Sequence, residues 1–285
     1  MDFNRNKQND NKTDIAWGNL HQRLENDGLL QGNDAKHAIR RTNYYRRLYV
    51  AAVFVACIIS GLYLMHKNDV SQKDMLVLYN EANAPVLATM LEDGSVVYLS
   101  QQTSLKYPDH FEENKREVIL QGDAFFDISK QAGRPFFIET EAAKIEVKGT
   151  SFSIKSNENS SFFLSVREGE VSVTKKSNMQ VITVKAGEAV LFDAEQVQLI
   201  KSTTVFDDYF KHIHFKDEYL KNVASIINLH SDAIKLIVEP NVETRSLTLT
   251  LPEKINTPGI AEVICLALEL QHTRQDNVIY ISKKN

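Results

Sequence analysis

Eighteen consecutive uncharged residues, Leu48 to Met65 (LYVAAVFVACIISGLYLM), constrain this chain more than any other feature. At the rise of an α-helix they span roughly 27 Å, close to the hydrocarbon thickness of a bilayer. Tyr44, Tyr45 and Tyr49 flank one end and Tyr63 the other, where amphipathic rings favour the headgroup level. The twenty residues before the run hold five Lys or Arg (Lys36, Arg40, Arg41, Arg46, Arg47), and the twenty after it hold two, Lys67 and Lys73. The positive-inside rule then predicts one membrane pass with a cytoplasmic N-terminus. The rival reading, a buried helix of a soluble domain, would usually carry a polar face. A cleaved signal peptide would not begin after about 45 residues.

The span divides the charge unevenly. Residues 1–47 carry nine Lys or Arg against six Asp or Glu, whereas residues 66–285 carry twenty-four against thirty-one. The net charge of −4 and the pI near 6.1 provide no basic field for a phosphate backbone, so direct nucleic-acid binding is not expected. Two cysteines, Cys57 and Cys265, are too few for a disulfide framework or a four-cysteine zinc site.

Before the span, a polar opening (MDFNRNKQNDNKTD) reads as frayed. Thr13 can then cap a short helix in which Ile15, Trp17, Leu20 and Leu24 recur near helical spacing up to Asp27-Gly28. About 45 residues cannot build much of a core. The stripe therefore either buries Trp17, Leu20 and Leu24 in another protein, packs on a second helix from Asn33 to Arg47, or rests on the membrane surface.

After the span, residues 66–84 open as a polar linker, and residues 85–200 read as short strands separated by turns. Asp93-Gly94 between apolar runs marks a hairpin over Thr89 to Leu99. Ala143, Ile145 and Val147 alternate with charged residues; Phe162, Leu164 and Val166 lead through Glu168-Gly169 into Val171 and Val173. A faint likeness of GDAFFD (Gly122 to Asp127) to GEAVLFD (Gly187 to Asp193) would suit stacked coils or a sandwich, and chance explains it nearly as well. From His212 the period changes. Strands at His212 to Phe215, Ile234 to Val238, Leu247 to Leu251 and Val278 to Ile281 alternate with two helices. One is lined by Leu220, Val223, Ala224 and Ile227. The other, capped by Thr257 with Pro258 first in the helix, is lined by Ile260, Val263, Ile264, Ala267 and Leu268. The order βαββαβ predicts an α/β domain of about 75 residues.

Nucleophile elbow, P-loop, HExxH and dinucleotide fingerprint are all absent, so no enzyme and no cofactor is expected. His212-x-His214 with Asp217 could ligate a metal, but polar residues on a wet strand face explain it more simply, since no third ligand is evident. Gly149-Thr150-Ser151 suggests a nucleophile, although a tight turn accounts for the glycine. Asp123, Asp127 and Asp193 would hold calcium only if folding gathered them; solvated turn carboxylates are the plainer reading.

Several ordered blocks carry a resemblance: LEDGSVVYLS (Leu91 to Ser100), Ser104-Leu105 and Tyr107-Pro108 with Phe111, REVILQGDAFFDI (Arg116 to Ile128), RPFFIET (Arg134 to Thr140), VKGTSFSI (Val147 to Ile154) and VREGEVSV (Val166 to Val173). They resemble the FecR-type sensor domain of membrane-spanning anti-sigma factors from Gram-negative bacteria. The tail from His212 to Ile281 is similar to the C-terminal domain of Bacteroidetes-type members, itself related to the short secretin and TonB-receptor signalling fold. At the N-terminus only Trp17 and its helix resemble the sigma-binding segment.

The resemblance implies a multi-domain inner-membrane protein. Its parts would be a cytoplasmic α-helical sigma-factor-binding segment (1–47), a transmembrane helix (48–65), a periplasmic linker (66–84), a mainly-β sensor domain of solenoid or sandwich type (85–200) and a C-terminal α/β signalling domain (205–285). It implies as partners an extracytoplasmic-function sigma factor, held through Ile15, Trp17, Leu20 and Leu24, the signalling domain of a TonB-dependent outer-membrane transporter, and membrane proteases. The alternative from a different class is a membrane-anchored periplasmic module that binds glycan or envelope structures and has no sigma-factor partner.

Overall fold

The computed structural model describes residues 6–29, 49–60, 75–156, 162–192, 196–204, 206–231, 233–253 and 256–284. They fall into two compact units, Met1–Ser71 and Gln72–Asn285.

The first unit contains α1 (Asn6–Asn26) and a second helix, α2, over residues 49–60. α1 begins seven residues before the expected cap at Thr13, so the polar opening is helical from Asn6 rather than frayed. That stretch has neither Gly nor Pro, and its Lys and Gln residues tolerate helix well. Asp27-Gly28 ends α1 as the sequence predicts. Gly28 sits at φ +68°, its N–H donates to the Glu25 carbonyl (3.1 Å), and the Leu29 N–H reaches the Leu24 carbonyl (3.0 Å). This pair of bonds is a Schellman closure, and the left-handed residue it needs is most cheaply a glycine. α2 covers twelve residues of the apolar run, all exposed and none charged. Leu48 and residues 61–65 of that run lie outside the described residues. Among the described residues, no helix is long and apolar enough to cross a membrane.

The second unit is mainly β, as the alternation predicts, and it is a layered sandwich rather than a solenoid. A seven-stranded sheet has the order β1-β4-β5-β7-β8-β11-β12. Its strands are β1 (Met75–Asn80), β4 (Thr103–Pro108), β5 (Arg116–Gln121), β7 (Phe136–Glu139), β8 (Ala143–Val147), β11 (Glu170–Lys175) and β12 (Gln180–Lys185). Against it lies a nine-stranded sheet of order β14-β13-β10-β9-β6-β3-β2-β15-β17. Its strands are β2 (Val86–Met90), β3 (Val96–Leu99), β6 (Ala124–Asp127), β9 (Ser151–Ser156), β10 (Phe162–Glu168), β13 (Glu188–Phe192), β14 (Val197–Lys201), β15 (Ile213–Tyr219) and β17 (Ser246–Thr250). The two similar sequence blocks, GDAFFD and GEAVLFD, supply β6 and β13 of this one sheet. β1 falls inside residues 66–84, so that stretch is not only linker.

The nine-stranded sheet is covered on both faces at its centre. Val97, Leu99, Ala124 and Phe126 join a core with Val118, Phe136, Ile138 and Ile145 of the other sheet. Their out-of-phase neighbours Val96, Tyr98 and Phe125 join a second core with residues beyond 205. All four residues of β3 are buried, which explains why VVYL reads as a continuous apolar run instead of alternating.

That second core is built from a 3-10 turn (Phe206–Phe210), α3 (Leu220–Leu229), α4 (Thr257–Leu268) and a three-stranded sheet of order β16-β19-β18. Its strands are β16 (Lys235–Val238), β18 (Leu270–Gln275) and β19 (Val278–Lys283). The predicted βαββαβ order is therefore corrected twice. An extra strand, β18, precedes the last one, and the strands divide between two sheets, β15 and β17 joining the sandwich. β18 (LQHTRQ) escapes notice because Leu270 is its one buried residue. α4 is capped by Asn256, not Thr257: the Asn256 side chain accepts from the Gly259 N–H at 3.0 Å. Pro258 is accordingly the second helical residue rather than the first, still within the first turn, while Ala267 is exposed and Cys265 and Ala261 line the buried face instead.

Candidate functional site

On α1, at about 100° per residue, Trp17, Leu20 and Leu24 fall within an arc of about 60°. Ile15 lies on the opposite side and does not belong to that stripe. Trp17 is 69% exposed and Leu20 46%, and Leu24 is partly covered. Three large apolar side chains thus share one helix face, exposed at Trp17 and Leu20, a chemistry suited to burial in a partner groove.

In the second unit the most elaborate polar chemistry lies where residues beyond 205 meet the sandwich. β15 runs parallel to β2 through Ile213↔Val86 and His214↔Leu87. A bulge follows between Phe215 and Glu218, with Asp217 at φ +52°. The bulge turns Glu218 inward. Its carboxylate accepts from the Thr89 hydroxyl at 2.8 Å and from the Asn222 amide at 2.6 Å, so one side chain ties β2, β15 and α3 together.

Tyr98, wholly buried in β3, meets His230 at the end of α3, hydroxyl to Nε2, at 2.5 Å. Burial drives the Tyr98 phenol far above its ordinary range, with Asp127 adding to the effect, and burial lowers His230. The contact therefore joins a neutral phenol and a neutral imidazole. Phe210 lies 4.2 Å from the His230 ring and packs edge-on against Tyr98 and Phe125. The Arg167 guanidinium covers the outer side of Phe210 at 5.5 Å. Tyr209, in the same turn, is pushed up to about 12, first by burial and then by Asp123. Beside this cluster opens a cavity of about 620 Å³ lined by Phe210, Phe215, Ile227, His230, Leu251 and Arg274 among others.

The candidate metal ligands are not gathered. His214 Nδ1 meets the Thr250 hydroxyl at 2.9 Å, and His212 stands 3.9 Å from Glu253. Among the described residues no three His, Cys, Asp or Glu are placed to hold a metal ion. Asp123 accepts from the Ser156 N–H (3.1 Å) and Asp127 from the Ser151 hydroxyl (2.7 Å), so each has a separate local partner. Asp193 lies outside the described residues. Thr150 is buried with no hydrogen-bond partner for its hydroxyl among the described residues, so no base is positioned to activate it.

Sequence reasoning missed Arg116, whose guanidinium is fully buried 2.6 Å from the equally buried Asp93. It also donates to the Ser129 carbonyl (2.9 Å) and the Arg134 carbonyl (3.1 Å) and lies over the Phe136 ring. Asp93 in turn accepts from the Ser95 N–H and hydroxyl at 3.0 and 2.7 Å. The tip of the β2-β3 hairpin is thereby fastened to the opposite sheet. The only signal in the sequence was an arginine at an inward position of an alternating strand.

Residues 83–172 match the model of the FecR protein family, in agreement with the resemblance seen in the ordered blocks. Two crystal structures of a candidate anti-sigma factor from Parabacteroides distasonis ATCC 8503, at 1.65 and 2.50 Å resolution, are similar over 74% of this chain and 100% of theirs, with 21% identity and a TM-score of 0.43. A likeness of that degree transfers no function. No match is found among the curated proteins.

Proposed function

With residues 83–172 carrying a FecR domain, we propose that the chain is an anti-sigma factor which holds an extracytoplasmic-function sigma factor at the inner membrane. The FecR match carries this reading. Supporting it are the uncharged run from Leu48 to Met65 with its five-to-two basic asymmetry and the exposed Trp17 and Leu20 on one face of α1 with the half-exposed Leu24.

In this reading residues 1–47 lie in the cytoplasm and bind the sigma factor, residues 48–65 cross the membrane, and residues 66–285 lie in the periplasm. There they receive a signal from a TonB-dependent outer-membrane transporter. A single span transmits small conformational changes poorly, whereas proteolysis severs the tether outright, so regulated cleavage is the step that releases the sigma factor.

Two experiments test this. A reporter active only in the periplasm should be active when fused after Asn285 and silent when fused after Gly32; the reverse pattern removes the membrane topology. In the second, the full-length chain in detergent is titrated with the sigma factor. Trp17→Ala should weaken binding by about 2 kcal/mol, roughly thirtyfold, as expected of an aromatic anchor. Gln22→Ala, on the far side of α1, should leave affinity unchanged while circular dichroism confirms equal helix content. No binding by the native chain would refute the proposal, and no loss with Trp17→Ala would place the sigma-binding surface elsewhere.

A further inference from the structure

β1 is an edge of the seven-stranded sheet and, among the described residues, pairs only with β4. The pairing runs without a bulge from Met75↔Pro108 to Asn80↔Thr103. Asn80 anchors its end by donating to the carbonyls of Pro85 (2.9 Å) and Leu99 (3.0 Å). A regular, firmly held strand therefore presents an outer row of backbone groups that no other described strand takes up.

Native edges are usually guarded by charge, proline or irregularity. Among the described edge strands, β12, β14, β16 and β18 carry Lys185, Lys201, Lys235 and Arg274. β17 has no charge, but Ser246, Thr248 and Thr250 alternate along it, and the last two hydroxyls are engaged with Asp217 and His214. β1 (MLVLYN) has no such guard, and it exposes Met75 (39%), Leu76 (43%), Val77 (59%) and Tyr79 (50%).

We propose that β1 pairs antiparallel with β1 of a second copy of this chain, fusing the two seven-stranded sheets across a two-fold axis. A lipid surface could cover the apolar side chains but would leave the outer backbone groups without partners. A strand supplies both. The sequence of β1 is also its own complement. Opposed residues in an antiparallel pair share a face, so the axis must pass through a residue pair. Centred on Val77, it sets Val77 against Val77, Met75 against Tyr79 and Leu76 against Leu78. Every opposition is apolar and no like charges meet. Met75 places its thioether beside an aromatic ring. Leu78 already packs on the sandwich core, and the pairing extends that core through Leu76. Such an isologous contact requires nothing beyond one chain.

The test uses the full-length chain in detergent, with Cys57→Ser to remove the exposed thiol; Cys265 is buried. Val77→Cys should give a disulfide-linked dimer under mild oxidant, and Thr183→Cys on the exposed face of β12 should not. Sedimentation of the unmodified chain should show a dimer, and Val77→Lys, which opposes two ammonium groups, should raise the dimer dissociation constant about tenfold or more. Circular dichroism should show Val77→Lys folded, as befits an exposed position. A monomeric native chain, cross-linking no stronger at Val77→Cys than at Thr183→Cys, or an undisturbed dimer in Val77→Lys would each overturn the pairing. None of these readouts involves a sigma factor, so their failure leaves the proposed function standing.

Discussion

At the scale of single residues, the Arg116–Asp93 pair has the largest consequence. Both side chains are wholly buried, and neither charge has water to fall back on. Removing one partner strands the other, so Arg116→Met should cost about 3 to 5 kcal/mol in denaturant unfolding. The double variant Arg116→Met with Asp93→Asn should cost clearly less than the sum of the single changes, because no full charge is then left buried. Additive losses would mean the two side chains act independently. Gly149 is a second sensitive position. A Cβ there would sit 2.6 Å from the Cβ and 2.7 Å from the Cα of Lys130, and the backbone is at φ +155°. Gly149→Val should destabilise the unit by about 1 to 3 kcal/mol, read as a lowered unfolding midpoint. An unchanged midpoint would show that the Lys130 segment moves aside freely.

At the scale of elements, α3 is held to the sandwich by Glu218 at its start and by His230 at its end. Because burial lowers His230, the unfolded chain takes up its proton first. The stabilisation from His230 is complete above its ordinary value of 6.5 and is lost as pH falls below that. Asp127 opposes the shift and Arg167 supports it; His214 is also lowered, while exposed His110, bonded to Glu92, is raised and works in the opposite sense. The fall in stability between about pH 7.5 and pH 5.5 should therefore shrink in His230→Gln, and an unchanged fall would assign the effect to other groups. These anchors also show what a sequence can and cannot reveal. Strands with one wet face, such as Ala143–Val147, were legible from their alternation, and α4 from Pro258 and its apolar stripe. The sequence shows β15 as a strand but not its partner. Parallel pairing to β2 more than a hundred residues earlier leaves no local trace, and neither does the pairing of Tyr98 with His230. On α1, Ile15 and Trp17 are close in sequence but lie on different faces, because two helical positions turn the chain by about 200°.

At the scale of the whole second unit, the continuity of the nine-stranded sheet decides whether residues beyond 205 are an appendage or part of the same folding unit. β2 has β3 on one side and β15 on the other, and Ala88, Val96, Tyr98 and Phe125 are buried only by completing a core with the 3-10 turn, α3 and their neighbours. A chain ending at residue 204 would expose those four side chains and the β2 edge at once, and at about 25 cal/mol per Å² of apolar surface even part of that loss is several kcal/mol. Such truncation should lower the unfolding midpoint of the remaining sandwich and raise binding of a hydrophobic dye, and the intact unit should unfold in one transition. A ligand or partner that engages α3, α4 or the cavity beside His230 would then act on the sandwich directly, through strands it shares. If the truncated sandwich instead unfolds at the native midpoint and binds no dye, the two parts are energetically separate, and any signal between them must pass through something other than the shared sheet.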